Sequence, residues 1–265
     1  GDLASTLNNT TREFDVHMGT DGGNFACQKC HTTEKHGIAG MYLHSTNEGR
    51  VECTDCHDGA VHESNTLNSH TARIACVTCH IPSFSRAMPT KTEWYWADAG
   101  QNISPIPTDE FGKPLYDKKK GTFVWGKFVE PELLWSNGKW TKTAIGVNDQ
   151  WTSLPAVLAA PVGSIDDPNS KIYPFKKMVG NQPADMNNQT ILVPHLFGTG
   201  SGANPYWGKF DWNLALADGA TYAGQTYTGA YEFIPTEMYL SINHEIAPKE
   251  QARSCSDCHD GGIDF

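Results

Sequence analysis

Hydrophobic positions in this 265-residue chain fall in short runs rather than long periodic stretches. Phe111-Gly-Lys-Pro-Leu-Tyr116, Asp117-Lys-Lys-Lys-Gly121 and Thr122-Phe-Val-Trp125 read in turn as strand, polar turn and strand. They predict a β-hairpin whose turn lysines are solvated. Thr221-Tyr-Ala-Gly and Thr226-Tyr-Thr-Gly-Ala-Tyr231 predict loops and short strands. Ala247-Pro-Lys-Glu-Gln-Ala-Arg253 predicts a short helix with proline in its first turn. Frequent proline and glycine elsewhere disfavour long helices. The longest apolar stretch, Leu154 to Val162, is broken by Pro155 and Pro161. It falls short of the roughly 18 residues a membrane helix needs. Gly1 to Thr11 is polar and lacks the apolar segment of a signal peptide, so the sequence reads as a mature, processed chain.

Composition narrows the class. With 38% apolar, 11% aromatic and 19% charged residues, the chain is not wholly disordered. Thirty acidic against twenty basic residues give a net charge of −10, which argues against nucleic acid as a partner.

The cysteines decide the chemistry. All eight fall in C-x-x-C pairs, and a histidine follows every pair. The sites are Cys27-Gln-Lys-Cys30-His31, Cys53-Thr-Asp-Cys56-His57, Cys76-Val-Thr-Cys79-His80 and Cys255-Ser-Asp-Cys258-His259, numbered I to IV below. C-x-x-C-H is the attachment signature of c-type haem. Two thiols form thioethers with the porphyrin vinyl groups, and the adjacent histidine is the proximal iron ligand. Zinc needs no histidine directly after the second cysteine, and a disulfide leaves that histidine unexplained. Four covalently attached haem c groups are therefore expected. Haem is joined to such motifs outside the cytoplasm, so the chain is expected to be exported, either to the cell surface and beyond or to the periplasm.

A six-coordinate iron needs a second axial ligand. Seven histidines lie outside the motifs: His17, His36, His44, His62, His70, His195 and His244. Four suffice for bis-histidine ligation throughout. His36 and His62 each follow a proximal histidine by five residues, a spacing that favours ligation of a neighbouring haem. His70 precedes the third motif and His244 the fourth. His17 reads as part of a flexible N-terminal arm that reaches a distant haem or another subunit. His195 sits in the apolar run Ile191-Leu-Val-Pro-His195-Leu-Phe, where a core histidine competes, and His44 lies in a polar loop. The six methionines share no spacing to the motifs.

Three sites crowd into residues 27–80, too little chain to bury much surface of its own, so stacked porphyrins are expected to form the core. The expected fold class is an irregular mixed α+β multihaem cytochrome with short helices, short strands and long loops. It divides into a three-haem segment over 1–92, a cysteine-free aromatic-rich wrap over 93–246 and the fourth haem site over 247–265, within a single domain. Asp166-Asp167 reads as a plain turn in preference to a calcium site.

Several stretches carry a family likeness. They include Asp15-Val-His17-Met-Gly, Cys27-Gln-Lys-Cys30-His31-Thr-Thr-Glu, Leu67-Asn-Ser-His70-Thr and Ala75-Cys76-Val-Thr-Cys79-His80-Ile-Pro. Pro89-Thr-Lys-Thr-Glu-Trp94, Lys171-Ile-Tyr-Pro-Phe175, Val193-Pro-His195-Leu-Phe-Gly198 and Thr236 through His244 to His259 belong with them. Together they resemble the C-terminal, four-haem half of the octahaem tetrathionate reductase family. The resemblance implies mainly bis-histidine haems and supports His17, His36, His62, His70, His195 and His244 as recurrent positions. It also implies that the family's catalytic haem, in the other half, is missing here. A free-standing chain of this kind is similar to extracellular tetrahaem cytochromes that polymerise into conductive filaments.

The functional expectation is electron transfer through four closed haems, with redox donor and acceptor proteins or extracellular acceptors as partners and a homopolymer in haem-to-haem contact as one form. No catalytic residue is assigned. The alternative is a reductase of sulfur or nitrogen oxyanions, which requires an open or labile haem with partners such as Lys91, Glu93, Asp149 and Lys249. A structural or adhesive surface protein is a third class, consistent with the sequons at Asn9, Asn102 and Asn188.

Overall fold

The computed structural model describes residues 5–38, 51–142, 149–198 and 203–260. A two-stranded hairpin, β1 (Thr33–Glu34) with β2 (Gly37–Ile38), follows the first motif. Two short helices, α1 (Asn65–His70) and α2 (Cys76–His80), precede the main sheet. That sheet is built from β3 (Thr90–Tyr95), β4 (Tyr116–Asp117), β5 (Gly121–Gly126), β6 (Glu132–Ser136), β7 (Lys139–Lys142), β8 (Ala156–Val162), β9 (Lys171–Asp185), β10 (Thr190–Ile191) and β11 (Tyr231–Ser241). Helices α3 (Tyr206–Lys209) and α4 (Trp212–Ala223) lie between β10 and β11, and α5 (Ser256–His259) carries the fourth motif.

The strand order is β4-β5-β3-β9-β11-β8-β7, with β6 and β10 also pairing β9. β9 is the spine. It runs antiparallel to β11 from Tyr231↔Asp185 to Ser241↔Phe175, while β6 borders its first residues and β3 its later ones. At Gly180 the close approach of β3 leaves no room for a side chain, since a Cβ would meet the Trp94 carbonyl oxygen. The mixed α+β class with short helices is as expected. Strands of 15 and 11 residues are longer than the local patterns predict, because β9 changes its neighbour along its length, from β6 to β3, while β11 pairs β9 throughout.

The hairpin expected around residues 117–121 is present as β4 and β5. Its lysines are not simply solvated: Lys118 lies over the ring of Phe210 and Lys119 over that of Trp207. Two other expectations are corrected. Thr221-Tyr-Ala is the last turn of α4, which Asp211 caps by accepting the Leu214 N–H at 3.0 Å and Gly224 ends at φ 70°. Trp212, Ala215, Leu216, Gly219 and Ala220 form its buried stripe, against Leu192 and Tyr206. Only Lys249–Gln251 of the 247–253 stretch is helical, as a single 3-10 turn.

The wrap's aromatic residues pack largely on one another. Trp94 stacks on Trp96, Trp96 meets Trp212 edge-on, and Trp212 stacks on Tyr206 with centroids 3.8 Å apart. This is an ordinary aromatic core. A second cluster joins the third motif to the sheet: Ala75, Val77, Ile81 and Phe84 bury against Ile242, with Tyr173 and Ile246 alongside. Asp167 accepts from the Asn169 and Ser170 side of its own turn and from the Asn137 amide, so Ser164–Ser170 is a closed turn.

Candidate functional site

Each motif folds as one tight turn. Cys27–Lys29 and Cys53–Asp55 are 3-10 turns, and Cys76–His80 and Ser256–His259 are α-helical. The N–H of His31, His57 and His259 returns to the carbonyl of the first cysteine of its motif at 2.8, 2.9 and 2.9 Å. Residues i, i+3 and i+4 therefore share a face, which brings both thiols and the imidazole to one side. All eight cysteines are free of disulfides.

Each motif histidine faces one histidine from outside the motifs. Ring centroids are 6.0 Å apart for His31 and His244, 6.1 Å for His57 and His17, 6.4 Å for His80 and His62, and 6.2 Å for His259 and His70. A metal–imidazole bond of about 2 Å, plus roughly 1 Å from nitrogen to ring centre, places two trans imidazoles ~6 Å apart. Direct contact does not explain four such gaps, one at every motif. The pair planes meet at 17° to 54°, and any angle is compatible with rotation about a shared nitrogen–metal–nitrogen axis. Among the described residues no three His, Cys, Asp or Glu side chains converge as around zinc.

The non-motif histidines are held in place, His62 by its ring and the others through the backbone around them. Asn68 clamps His62: its Oδ1 accepts the His62 backbone N–H at 3.0 Å and lies 3.2 Å from Nδ1, while its Nδ2 donates to the His62 carbonyl at 2.7 Å. With Nδ1 so engaged, Nε2 is left for a metal. His70 ends α1, whose N-cap is Ser64. Asp15 is buried; its Oδ1 accepts from the N–H of His17 and Met18, and its Oδ2 from those of Glu245 and Ile246. These bonds fix the His17 backbone within its own chain, where its ring faces the second motif, so it is not a flexible arm. Beside His244, buried Glu245 accepts from the N–H of Ser85 and Arg86 and pairs with the Arg86 guanidinium at 3.5 Å. Burial raises the Glu245 carboxyl pKa, partly opposed by those donors.

Burial lowers the pKa values of His80 and His244, which favours the neutral, ligating imidazole. It raises those of the Cys30, Cys79 and Cys258 thiols. A hydrogen bond from Cys53 brings Cys76 down to about 6.

The other histidines are placed differently. His36 is exposed at the turn of the β1–β2 hairpin with φ 69°. His195 Nδ1 lies 2.5 Å from Asp218 Oδ2, its backbone N–H donates to Ala215 and its carbonyl accepts from Tyr206, so it pins its loop to α4. His44 lies outside the described residues. Of the reductase candidates, Lys91 sits over the rings of Trp94, Phe123 and Trp125, and Glu93 accepts from the Tyr95 hydroxyl.

Sequence reasoning missed Asp15, Asn68 and two donors near His70. Arg73 and His70 lie three residues apart on one turn, and the Arg73 guanidinium stacks 4.7 Å above the Trp135 ring. Arg73 Nε and Trp135 Nε1 are buried without a partner, an arrangement suited to a carboxylate such as a porphyrin propionate. Thiol pair, proximal ring, opposed ring and unfilled donors all fit a c-type haem.

Residues 91–262 match the protein family described as bacterial cytochrome c. The chain is also similar to the octahaem cytochrome c from Shewanella oneidensis, with 42% sequence identity and a TM-score of 0.85. That match covers 97% of this chain and 60% of the Shewanella chain. No curated protein matches it.

Proposed function

Because this chain belongs to the bacterial cytochrome c family, we propose that it transfers electrons through four covalently bound, bis-histidine haems. The observation that carries the reading is the pairing of every motif histidine with one distant histidine at about 6 Å. Site I takes His31 and His244, site II His57 and His17, site III His80 and His62, and site IV His259 and His70. Cys27, Cys30, Cys53, Cys56, Cys76, Cys79, Cys255 and Cys258 supply the thioethers. His36 and His195 are left out of the ligand set.

Each bound haem supplies a one-electron iron couple. The chain supplies the rest. Asn68 holds the ring of His62, and Asp15 holds the backbone at His17 and next to His244, so the ligand geometry is preorganised and changes little on electron exchange. The residues divide into a three-haem segment (1–92), a wrap (93–246) and the closing fourth site (247–265). Arg73, on the stretch between His70 of site IV and Cys76 of site III, and Trp135, on which it stacks, offer their unfilled N–H groups to a propionate.

Imidazole on both faces leaves no coordination position for a substrate, which disfavours the oxyanion reductase reading. Carbon monoxide and cyanide test this: the holoprotein should bind neither at stoichiometric levels, whereas a reductase should bind one of them at one haem. Intact mass should equal apoprotein plus four haems.

The chain is exported and works at or beyond the cell surface, with other redox proteins or extracellular acceptors as partners. No helix among the described residues is long and apolar enough to cross a membrane. In a filament, haem-to-haem contact between copies needs no donated imidazole, because His17 already serves its own chain. Electron micrographs of concentrated holoprotein distinguish the forms: filaments support the polymer, and uniform single particles refute it.

A further inference from the structure

The protein surrounds its four motifs unequally. Only the third has buried residues, Val77 and Thr78. The Thr78 hydroxyl and the Ala75 N–H both donate to the Ile172 carbonyl of β9, at 2.7 and 3.0 Å. Ile81, directly after His80, is fully buried, and Phe84 and Ile242 belong to the same cluster. By contrast, every residue from 26 to 37 around site I and from 51 to 61 around site II is exposed.

Charge is distributed just as unevenly. Arg253 is held against site III: its N–H donates to the Cys79 carbonyl at 2.9 Å and its guanidinium to the Pro82 carbonyl at 3.1 Å. The side chain is 4% exposed, and its Nε is buried without a partner. Glu130 meets the same guanidinium at 2.8 Å, but its side chain is 71% exposed, so water screens the carboxylate more than the cation. Glu245 also reaches the stretch after His80, and there the Arg86 guanidinium faces it at 3.5 Å. Lys171 adds a further cation, with Nζ donating to the Thr71 carbonyl ahead of the third motif at 2.7 Å.

The other sites are weighted toward anions. The buried Asp15 carboxylate lies on the distal side of sites I and II, against the N–H groups of His17 and Glu245. Asp55 lies within the second motif, Glu52 and Asp58 flank it, and Asp257 lies within the fourth. Lys29 of the first motif is a cation, but an exposed one that water screens.

A bis-imidazole iron carries one more positive charge when ferric than when ferrous. Burial and nearby cations therefore favour the reduced form, and nearby anions the oxidised one. We propose that site III has the highest reduction potential of the four, so that electrons settle there first, and that the Arg253 charge helps to hold it there. The proposal rests on the haem reading given above.

Redox titration of the holoprotein followed by NMR tests it, with each haem assigned through the protons of its own cysteine and histidine residues. Site III should show the highest midpoint. Arg253→Gln should lower that midpoint by more than it lowers those of sites I and II, whereas Arg253→Lys, which keeps the charge, should retain most of it. A purely structural role for Arg253 would not separate lysine from glutamine in this way. Reduction of any other site first, or a site III midpoint unmoved in Arg253→Gln, overturns the proposal. If that variant does not fold, the order of reduction in the parent protein decides alone. Four bis-imidazole haems reduced in another order would leave the ligation intact. Fewer than four haems by intact mass would bring down the haem reading and this proposal with it.

Discussion

The carboxylate of Asp15 accepts the backbone N–H of His17 through one oxygen and that of Glu245, 230 residues away, through the other. One buried side chain therefore positions the distal ligands of two sites, His17 directly and His244 through its neighbour. Asp15→Ala would leave these buried donors unsatisfied, at about 1–3 kcal/mol for each. The expected result is a lower denaturant midpoint, together with high-spin character at two of the four haems. Loss at neither site, or at one alone, would contradict the shared role.

The ligand assignment separates histidines that look alike in sequence. His62→Ala should open one haem and allow one equivalent of carbon monoxide to bind the reduced protein. His36→Ala should leave the spectrum and haem content unchanged, since His36 sits on an exposed turn. Carbon monoxide titrations of both variants decide between these two residues, each five positions after a motif histidine.

Arg73 offers a charge effect. A cation beside a propionate disfavours the extra positive charge of ferric iron, so Arg73→Leu should lower the reduction potential of one haem and leave the other three nearly unmoved. Potentiometric titration followed by NMR resolves the individual haems. Equal shifts at all four would show that Arg73 acts through the general field.

Asp185 is fully buried at the end of β9. Burial pushes its carboxyl up, but hydrogen bonds from the N–H groups of Thr228, Asn188 and Asn187 and the Thr228 hydroxyl outweigh that and hold it below the ordinary range. A depressed folded pKa gives stability that is present above the unfolded value of about 4 and lost as pH falls through the folded value. Asp185→Asn should cost about 1–3 kcal/mol at neutral pH. The gap from the parent protein should narrow below about pH 4. Denaturant unfolding measured from pH 7 to pH 3 checks both.

How far the sequence could be read depends on how local each cause is. The motifs were legible because C-x-x-C-H is contiguous, and its turn needs only an i to i+4 bond. His17, His62, His70 and His244 were among the candidates, but choosing them over His36 and His195 needed distances across the fold. Asn68 could have been noticed, six residues from His62, whereas Asp15 and Glu245 meet only in three dimensions. Helix α4 left a readable signal: an Asp211 cap, apolar positions 212, 215, 216 and 220, and a glycine stop. It was obscured by the Thr-Tyr-Gly pattern at its end. The length of β9 was not legible, because Pro174 and Pro183 read as breaks, yet both lie within its paired register.

The most direct test of the ligation is near-infrared magnetic circular dichroism of the ferric holoprotein, calibrated per haem. The pairing of His31 with His244, His57 with His17, His80 with His62 and His259 with His70 predicts only the bis-imidazole charge-transfer band, at four haems per chain. A methionine-ligated band, a high-spin band, or an intensity below four haems would contradict it.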